Sequence, residues 1–543
     1  MNQSRLKTVI IVVVTIYILI LIRFMQWQIF QSNSLQKKAL SQIYKLETIQ
    51  PKKGKIYSSD NYLMVGNENY YLMSIYKPNL TKPFNEVMSQ ISKIKPEFST
   101  KTEPSSKWYT YDTLFSKQEA NTLKIDGITF EPHNTRYYPN LLSSNLITGN
   151  LGRNEQGHII GIGGLEGFYN RQLSGKTGFI FASKDATGNI ILNRKIWQTK
   201  SSDGFNLHTY ISSPIQYFAE KALTDGIQTY SADSGSIIIM NPNTGGIIAM
   251  TSAIASESAS SSGILSKHNA SILDLFEPGS IFKPLVISMA LETKSIKPDF
   301  ICDKCSNDLQ IGKYTITNHD KQHHPNSNLD DIIKNSDNLG MSNIIEKLGK
   351  NNFLEYYEKI GLKNKTGIDL QGETKPLFKT NWTPIDLATA SFGQGFAITP
   401  IQMLQVFNII ANDGNLVKPK VVKYMENTNT YVQTKNDNKK IIFSKLSVDR
   451  VKEALKYGVE NGALNQLRPK DIEVCGKSGT AQIAIEGEYT DNKTIASYIG
   501  FSPCNNPKFT MIVTLNNPKT SSWGSSTAAP IWFNIADKIS NLL

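Results

Sequence analysis

The chain has 543 residues, 40% of them apolar, enough for two or three domains with ordinary cores, and it has neither a disordered nor a collagen-like composition. Its net charge of +12 and pI near 9.1 suit an anionic setting such as a membrane surface or a cell wall. Nucleic acid is set aside as a partner, because there is no long Lys/Arg run, paired zinc-ribbon cysteines or aromatic RNA-binding signature.

Arg5 and Lys7 precede an uncharged apolar run from Thr8 to Ile22, and Phe24 and Met25 extend it past Arg23, which can snorkel. That is about the 17 residues a short membrane span needs. A cleaved signal peptide would require a small-residue site after the run, whereas "RFMQWQIFQ" offers only large side chains, with Trp27 placed as an interfacial aromatic. The sequence therefore predicts a retained anchor over 8–25 and a cytoplasmic tail over 1–7. The basic residues on the N-terminal side put the rest of the chain outside the cytoplasm.

Beyond the anchor, "QSNSLQKKALSQIYKLETIQ" predicts a polar helical stalk, and a many-stranded, extended module is expected to follow to about residue 225. From 234 the texture changes. Two apolar strands flank Asn-Pro-Asn-Thr-Gly-Gly within 234–253, a hairpin signal. A serine-rich loop at 256–263, expected to pack little, precedes helices over 280–293, 329–335, 339–349, 384–393 and 400–412. Strands return at "TIASYIGFSP" and "KFTMIVTLNN", and a last helix is expected near 530–543. Strands, then helices, then strands predict an α+β domain whose antiparallel sheet is assembled from both ends of the segment.

At "FEPGSIFKPL" the first turn of an otherwise apolar helix carries Ser280 and Lys283, three apart and so on one face. On this stretch alone, Ser280 as a cap and Lys283 as a solvated side chain is an equal reading. A serine hydroxyl needs a base to become a nucleophile, and a lysine is a base only when neutral. Bringing an ammonium from about 10.4 to near 7 costs roughly 4 kcal/mol, supplied by burial and by a second cation. A Ser-Lys enzyme should therefore show another lysine and a hydroxyl relay downstream. "KNSDNLG" places Ser336 and Asn338 between two helices, 56 residues after Ser280, and "VCGKSGTAQ" places Lys477, Ser478, Gly479 and Thr480 at a strand 141 residues further on. The order S-x-x-K, S-x-N, K-[ST]-G is that of the penicillin-recognising serine enzymes. Similar tripeptides at Ser59, Ser143, Lys176 and Lys365 fail on order, spacing or context.

The chain resembles the class B penicillin-binding proteins, monofunctional transpeptidases of bacterial wall synthesis, over nearly its whole length. Besides the three motifs, "RYYP" (136–139), "GLEGFYNRQLSGKTG" (164–178), "NPNTGGIIAM" (241–250), "TGIDLQGE" (366–373), "ASFGQGFAITPIQM" (390–403) and "ANDGNLVKP" (411–419) carry the likeness. Two of these, "ASFGQGFAITPIQM" and "GLEGFYNRQLSGKTG", look more like the division (septal) branch than the elongation branch. One departure is that the family's Arg-Gly-x-Ile-x-Asp-Arg-Asn-Gly stretch reads "KKGKIYSSDNY" at 52–62.

The resemblance implies an anchor, a β-rich pedestal over 26–225 and a transpeptidase domain over 226–543. It implies Ser280 as acylated nucleophile, Lys283 as base and Ser336 as relay toward the leaving amine. Asn338 would hold the peptide amide, and Lys477, Ser478, Gly479 and Thr480 the substrate, Lys477 and Thr480 taking its terminal carboxylate. The backbone N–H groups of Ser280 and Thr480 would form the oxyanion hole. The implied substrates are peptidoglycan stem peptides ending in D-Ala-D-Ala, with β-lactams as inhibitors and no cofactor. The implied partners are the cytoplasmic membrane, a polymerising glycosyltransferase and other division proteins. A penicillin sensor or scaffold with vestigial catalysis, and a D,D-carboxypeptidase, are the alternatives. Intact motifs and the short N-terminal tail argue against the first. A class A β-lactamase is disfavoured, because the nearest candidate for its deacylating glutamate, Glu460 in "ENGALN", is off by one residue.

Cys302 and Cys305 stand two residues apart, and thirteen residues later come His319 and His323, spaced by three. The spacing approaches a Cys2His2 site and leaves a structural zinc on Cys302, Cys305, His319 and His323 open beside the readings that weigh more, a small-loop disulfide or free thiols. Cys475 is expected to be a buried strand residue.

Overall fold

The computed structural model describes residues 3–139, 144–185, 190–256, 264–428, 430–434, 440–485 and 488–543. Ser143 and the serine-rich loop beyond Ser256 lie outside the described residues. By its contacts the chain falls into two compact units, residues 1–53 with 174–204, and residues 54–173 with 205–543.

In the first unit a helix, Gln3–Met25, carries the apolar run, and the stretch Arg5–Phe30 is long and apolar enough to cross a membrane. A second helix, Ser32–Ile43, continues it, but the last part of the expected stalk is a strand, Tyr44–Ile49. It pairs antiparallel with Gly178–Lys184, which pairs in turn with Ile190–Thr199. Tyr44 and Leu46 fall on one side of this strand, and the Tyr44 ring lies 5.2 Å from Phe181. That cross-strand contact is available only to the extended chain and overrides the polar helical pattern.

The second unit is built on a six-stranded antiparallel sheet. Its order is Ile264–Leu265, Ile247–Ile254, Ser234–Met240, Phe509–Asn516, Glu488–Ser502 and Cys475–Ile485. The sheet does draw its strands from both ends of the segment, as the sequence predicts. Both faces are covered, which is why the strands read as nearly continuous apolar runs. Ile238, Met240, Ile499 and Ile512 face one core, with the helix Lys283–Glu292 and the long buried helix Pro400–Ala411. Ile237, Ile239, Tyr498 and Val513 face another core, covered by the helices Ser213–Tyr230 and Ala528–Ile539. The first of these helices runs across residue 225, where a change of module is expected.

A second, seven-stranded sheet belongs to the same unit. Ile56–Tyr57, Leu63–Tyr76, Trp108–Phe115 and Ile128–Tyr137 form its one side, over a small core of Met73, Ile75, Phe98, Phe115 and neighbours. Asn206–Thr209 lies between Ile56–Tyr57 and Val422–Asn427, so a strand from the catalytic half of the chain completes a sheet begun near residue 56. Gly54 keeps the glycine of the otherwise divergent "KKGKIYSSDNY" stretch, and a Cβ there would sit 1.8 Å from the Phe205 carbonyl oxygen. The two segments "GLEGFYN" and "TGIDLQGE" meet at Asp369. Its buried carboxylate accepts hydrogen bonds from the Tyr169 hydroxyl (2.9 Å) and from the backbone N–H groups of Val421 (2.6 Å) and Val422 (2.9 Å).

Candidate active site

Ser280 is not the first residue of an α-helix. A 3-10 turn, Gly279–Phe282, holds it, and the α-helix begins at Lys283 with Pro284 in its first turn. Gly279 has φ +60° and Gly393 has φ +83°; a Cβ on Gly393 would stand 2.1 Å from the Gly279 carbonyl oxygen. The turn is thus seated on glycine backbone, with Ile281, Phe282 and Leu285 packed beneath it.

Ser336 follows the short helix Leu329–Lys334, and Asn338 opens the helix Asn338–Leu348. Asp337 caps that helix by accepting from the Gly340 N–H at 2.9 Å. Ser336 has φ +55°, a left-handed conformation unusual for a residue with a side chain. The Ser336 hydroxyl stands 2.9 Å from the Ser280 hydroxyl oxygen. Lys283 Nζ reaches the Ser336 carbonyl oxygen, the Ser336 hydroxyl at 3.2 Å and Asn338 Oδ1 at 2.8 Å. A continuous chain therefore runs from Ser280 Oγ through Ser336 Oγ to Lys283 Nζ.

Lys283 is 0% exposed. Burial first, and then the Lys477 charge, push its ammonium well below the ordinary lysine range, with Asp337 pulling the other way. Lys477 is itself buried, donates to the Ser478 carbonyl at 3.0 Å, and is brought by burial to about 8. The second cation that the chemistry of Lys283 demands is thus present, and it acts on Lys283 through charge.

Lys477–Thr480 lie on the strand Cys475–Ile485, the edge strand of the core sheet. An edge leaves backbone N–H and C=O groups free to pair with an extended peptide. Gly479 packs under the nucleophile turn, where a Cβ would stand 2.9 Å from Ile281 Cγ2 and 2.6 Å from Ser497 Oγ. Sequence reasoning missed the loop that closes this side. The Gly524 N–H donates to Thr480 Oγ1 at 3.1 Å, and a Cβ on Gly524 would stand 2.3 Å from the Gly479 oxygen. "SSWGSS" carries a Gly amid serines, but no spacing links it to the three motifs. Gln394 and Phe392, from "ASFGQGFAITPIQM", complete the cleft of about 590 Å³ around Ser280 and Thr480.

Of the three readings of Cys302 and Cys305, the zinc site is corrected and the small-loop disulfide is the one found. Cys302 and Cys305 are joined to each other as a disulfide, so neither sulfur is a thiolate ligand. His323 Nε2 is 2.9 Å from Asp308 Oδ1, and His319 lines the cleft with its ring 5.4 Å from that of Trp523. Among the described residues no group of three or more His, Cys, Asp or Glu side chains could hold a metal ion. Cys475 is a buried strand residue, as expected, and it is bonded to Cys504.

A serine and a buried lysine joined by a second serine, beside an open strand edge carrying Lys-Ser-Gly-Thr, define the class of penicillin-recognising serine acyltransferases. Residues 235–537 match the penicillin-binding protein transpeptidase domain, and residues 48–209 match the penicillin-binding protein dimerisation domain. The chain belongs to the penicillin-binding protein transpeptidase family. Among its relatives, it is 32% identical to the peptidoglycan D,D-transpeptidase FtsI of Buchnera aphidicola over 77% of this chain and 72% of that one. It is 30% identical to stage V sporulation protein D of Bacillus subtilis, over 77% of this chain and 66% of that protein. The crystal structure of penicillin-binding protein 2X from Streptococcus thermophilus shares the fold, with TM-score 0.76 at 21% identity, covering 92% of this chain and 80% of that one.

Proposed function

We propose that the protein is a peptidoglycan D,D-transpeptidase that works through an acyl-enzyme on Ser280. The observation that carries this reading is the hydrogen-bonded chain from Ser280 to a fully buried Lys283 by way of Ser336. The heavy-atom positions serve a neutral lysine. Two N–H groups bond the Ser336 carbonyl and Asn338 Oδ1, and the lone pair is left for the Ser336 O–H. As the side chains stand, Lys283 donates to Ser336 and Ser336 to Ser280; with Lys283 neutral the two hydroxyls turn about, and Ser336 Oγ accepts the Ser280 proton as it passes its own to Lys283. Ser280 Oγ attacks the carbonyl between two D-alanines, and the oxyanion is held by the N–H groups of Ser280 and Thr480. Lys283 returns the proton through Ser336 to the departing D-alanine nitrogen. The C–N bond breaks and an ester remains on Ser280.

The donor stem peptide pairs with the strand edge along Ser478–Thr480, Asn338 Nδ2 holds its amide, and charged Lys477 with Thr480 takes its terminal carboxylate. β-Lactams, which carry a strained amide and a carboxylate, acylate the same serine. Arg5 and Lys7 before the apolar helix support an orientation with residues 26–543 on the outer side of the cytoplasmic membrane. Resemblance to division-type relatives supports a septal role, with a polymerising glycosyltransferase and division proteins as partners, a pedestal over 26–225 and catalysis within 226–543. The test is labelling of the membrane-bound protein with a fluorescent penicillin, beside Ser280→Ala. A stable covalent band confined to the wild type is expected. Absence of a band from folded wild-type protein at saturating probe refutes the assignment.

A further inference from the structure

The cleft does not end at the nucleophile. On the far side of Ser336 and Lys477 lies a second chamber of about 400 Å³. Ser280, Thr480 and Gln482 line the first chamber and not the second, while His319, Ser336, Ser478 and Ser525 line both. These four side chains therefore mark a neck between the two spaces. The second chamber is walled by Lys334, Asn335 and Asp320 on one side and, on the other, by Asn461, the last residue of the helix Lys445–Asn461, and Ala463 just beyond it.

This rests on the transpeptidase reading above, which involves two amines in turn. The D-alanine nitrogen leaves from one position beside the acyl carbon, and by microscopic reversibility the acceptor nitrogen arrives at the same position. Ser336 Oγ, 2.9 Å from Ser280 Oγ, is the group that exchanges protons there, and it faces both chambers. The donor's acyl part stays in the first chamber, against the strand edge, for as long as the ester lasts. The neck opens on the side of Ser336 away from that strand edge.

The geometry points to the second chamber as the acceptor site, taking a peptide that presents a primary amine. Asp320, the one acidic wall residue among the described residues, is held in place by the Gln322 N–H at 3.0 Å and by His324 at 3.1 Å, and is placed to accept from an amine N–H. Lys334 is tied to Asp331 at 2.9 Å and Asn461 Nδ2 to the Tyr457 carbonyl at 3.1 Å, which leaves Asn335 and Ser525 among the wall's polar groups for a peptide backbone. In the step itself the acceptor nitrogen, entering as free amine, forms a bond to the acyl carbon. Its proton passes to Ser336 Oγ, and the Ser336 proton passes to Ser280 Oγ as the ester C–O bond breaks. An amide and a free serine result.

The experiment uses the detergent-purified full chain, a soluble D-alanyl thioester as donor and a lysine-containing tripeptide as acceptor. Ala463→Trp and, separately, Asn461→Trp fill the chamber from exposed positions that touch no group of the Ser280 relay. Acylation by fluorescent penicillin should stay within twofold of wild type in both and report that each is folded. The ratio of aminolysis to hydrolysis product should fall at least tenfold. An unchanged ratio in a variant that still acylates overturns the acceptor site, as does a wild type that acylates but yields only hydrolysis product. A wild type that penicillin does not acylate refutes the transpeptidase reading instead.

Discussion

Replacing Lys477 with methionine should make the protein more stable and less active at the same time. Burial brings Lys477 from 10.5 to about 8, a gap of about 2.5 pH units, and at about 1.4 kcal/mol each this is about 3 kcal/mol. Below pH 8 both folded and unfolded chains carry the proton, but only the folded one holds it out of water, so the penalty is complete at pH 7. Between about 8 and 10.5 the unfolded chain binds a proton that the folded chain has released, and stability rises with pH. Methionine has a similar reach and no charge. It loses the bond to the Ser478 carbonyl, at about 1 kcal/mol. The net gain at pH 7 is about 2 kcal/mol, or about 2 °C in thermal midpoint for a protein of this size. The assay is thermal unfolding of the purified full chain at pH 7 and pH 10.5, beside penicillin acylation. The gain should vanish at the higher pH. The slow remaining acylation should need a higher pH than in wild type, because Lys283 has lost the neighbouring cation that lowers it. A variant no more stable than wild type at pH 7, or a gap that ignores pH, refutes this account of the site.

Ser336→Ala removes the link between Ser280 and Lys283, and the penicillin acylation rate constant should fall by about 10²–10⁴ with the melting temperature little changed. Acylation by the wild type should follow a bell. It rises as the lowered Lys283 deprotonates and falls above about 8 as Lys477 loses the charge that holds the carboxylate, which a pH series of labelling rates will show. Chelation should alter neither labelling nor melting, because Cys302 and Cys305 are bonded to each other; a loss of stability in chelator would reinstate a metal. Reduction of the Cys475–Cys504 bond, which closes a span of 29 residues, should lower stability by about 3 kcal/mol, read as a lower denaturant midpoint with reductant.

The catalytic side chains were legible because their chemistry is sparse. A serine that needs a base, and a lysine that needs burial and another cation, leave few arrangements, and each leaves a short motif on a turn or strand. Partners that act through backbone left no such trace. The 3-10 turn at Gly279–Phe282 reads as the start of a helix, since the apolar pattern of Ile281, Phe282 and Leu285 suits both. Gly524 supports Thr480 with an N–H, which any residue possesses. His319 and His323 mimicked a ligand pair because spacing is all a sequence offers; in space they turn to Trp523 and Asp308. The strand Val422–Asn427 was missed because its partner, Asn206–Thr209, lies more than two hundred residues earlier. Such pairing is fixed by tertiary packing rather than local pattern.

The two buried lysines give the site an internal logic that also bears on its specificity. The Lys477 charge destabilises the Lys283 ammonium, so Lys283 holds its proton more weakly than burial alone would make it. Burial and the Lys477 charge both act against the Lys283 ammonium, whereas burial alone acts against Lys477, so the pair favours Lys283 neutral and Lys477 charged. That is the one distribution in which the relay can take a proton while the strand edge still attracts a carboxylate. A bound carboxylate would offset the Lys477 charge and raise Lys283, making it a stronger base when a substrate with a free terminus is in place. A donor ending in a C-terminal amide should therefore lose acylation rate as well as affinity. Saturation kinetics with matched acid and amide thioesters will separate the two; a loss confined to affinity would show that the lysines act independently.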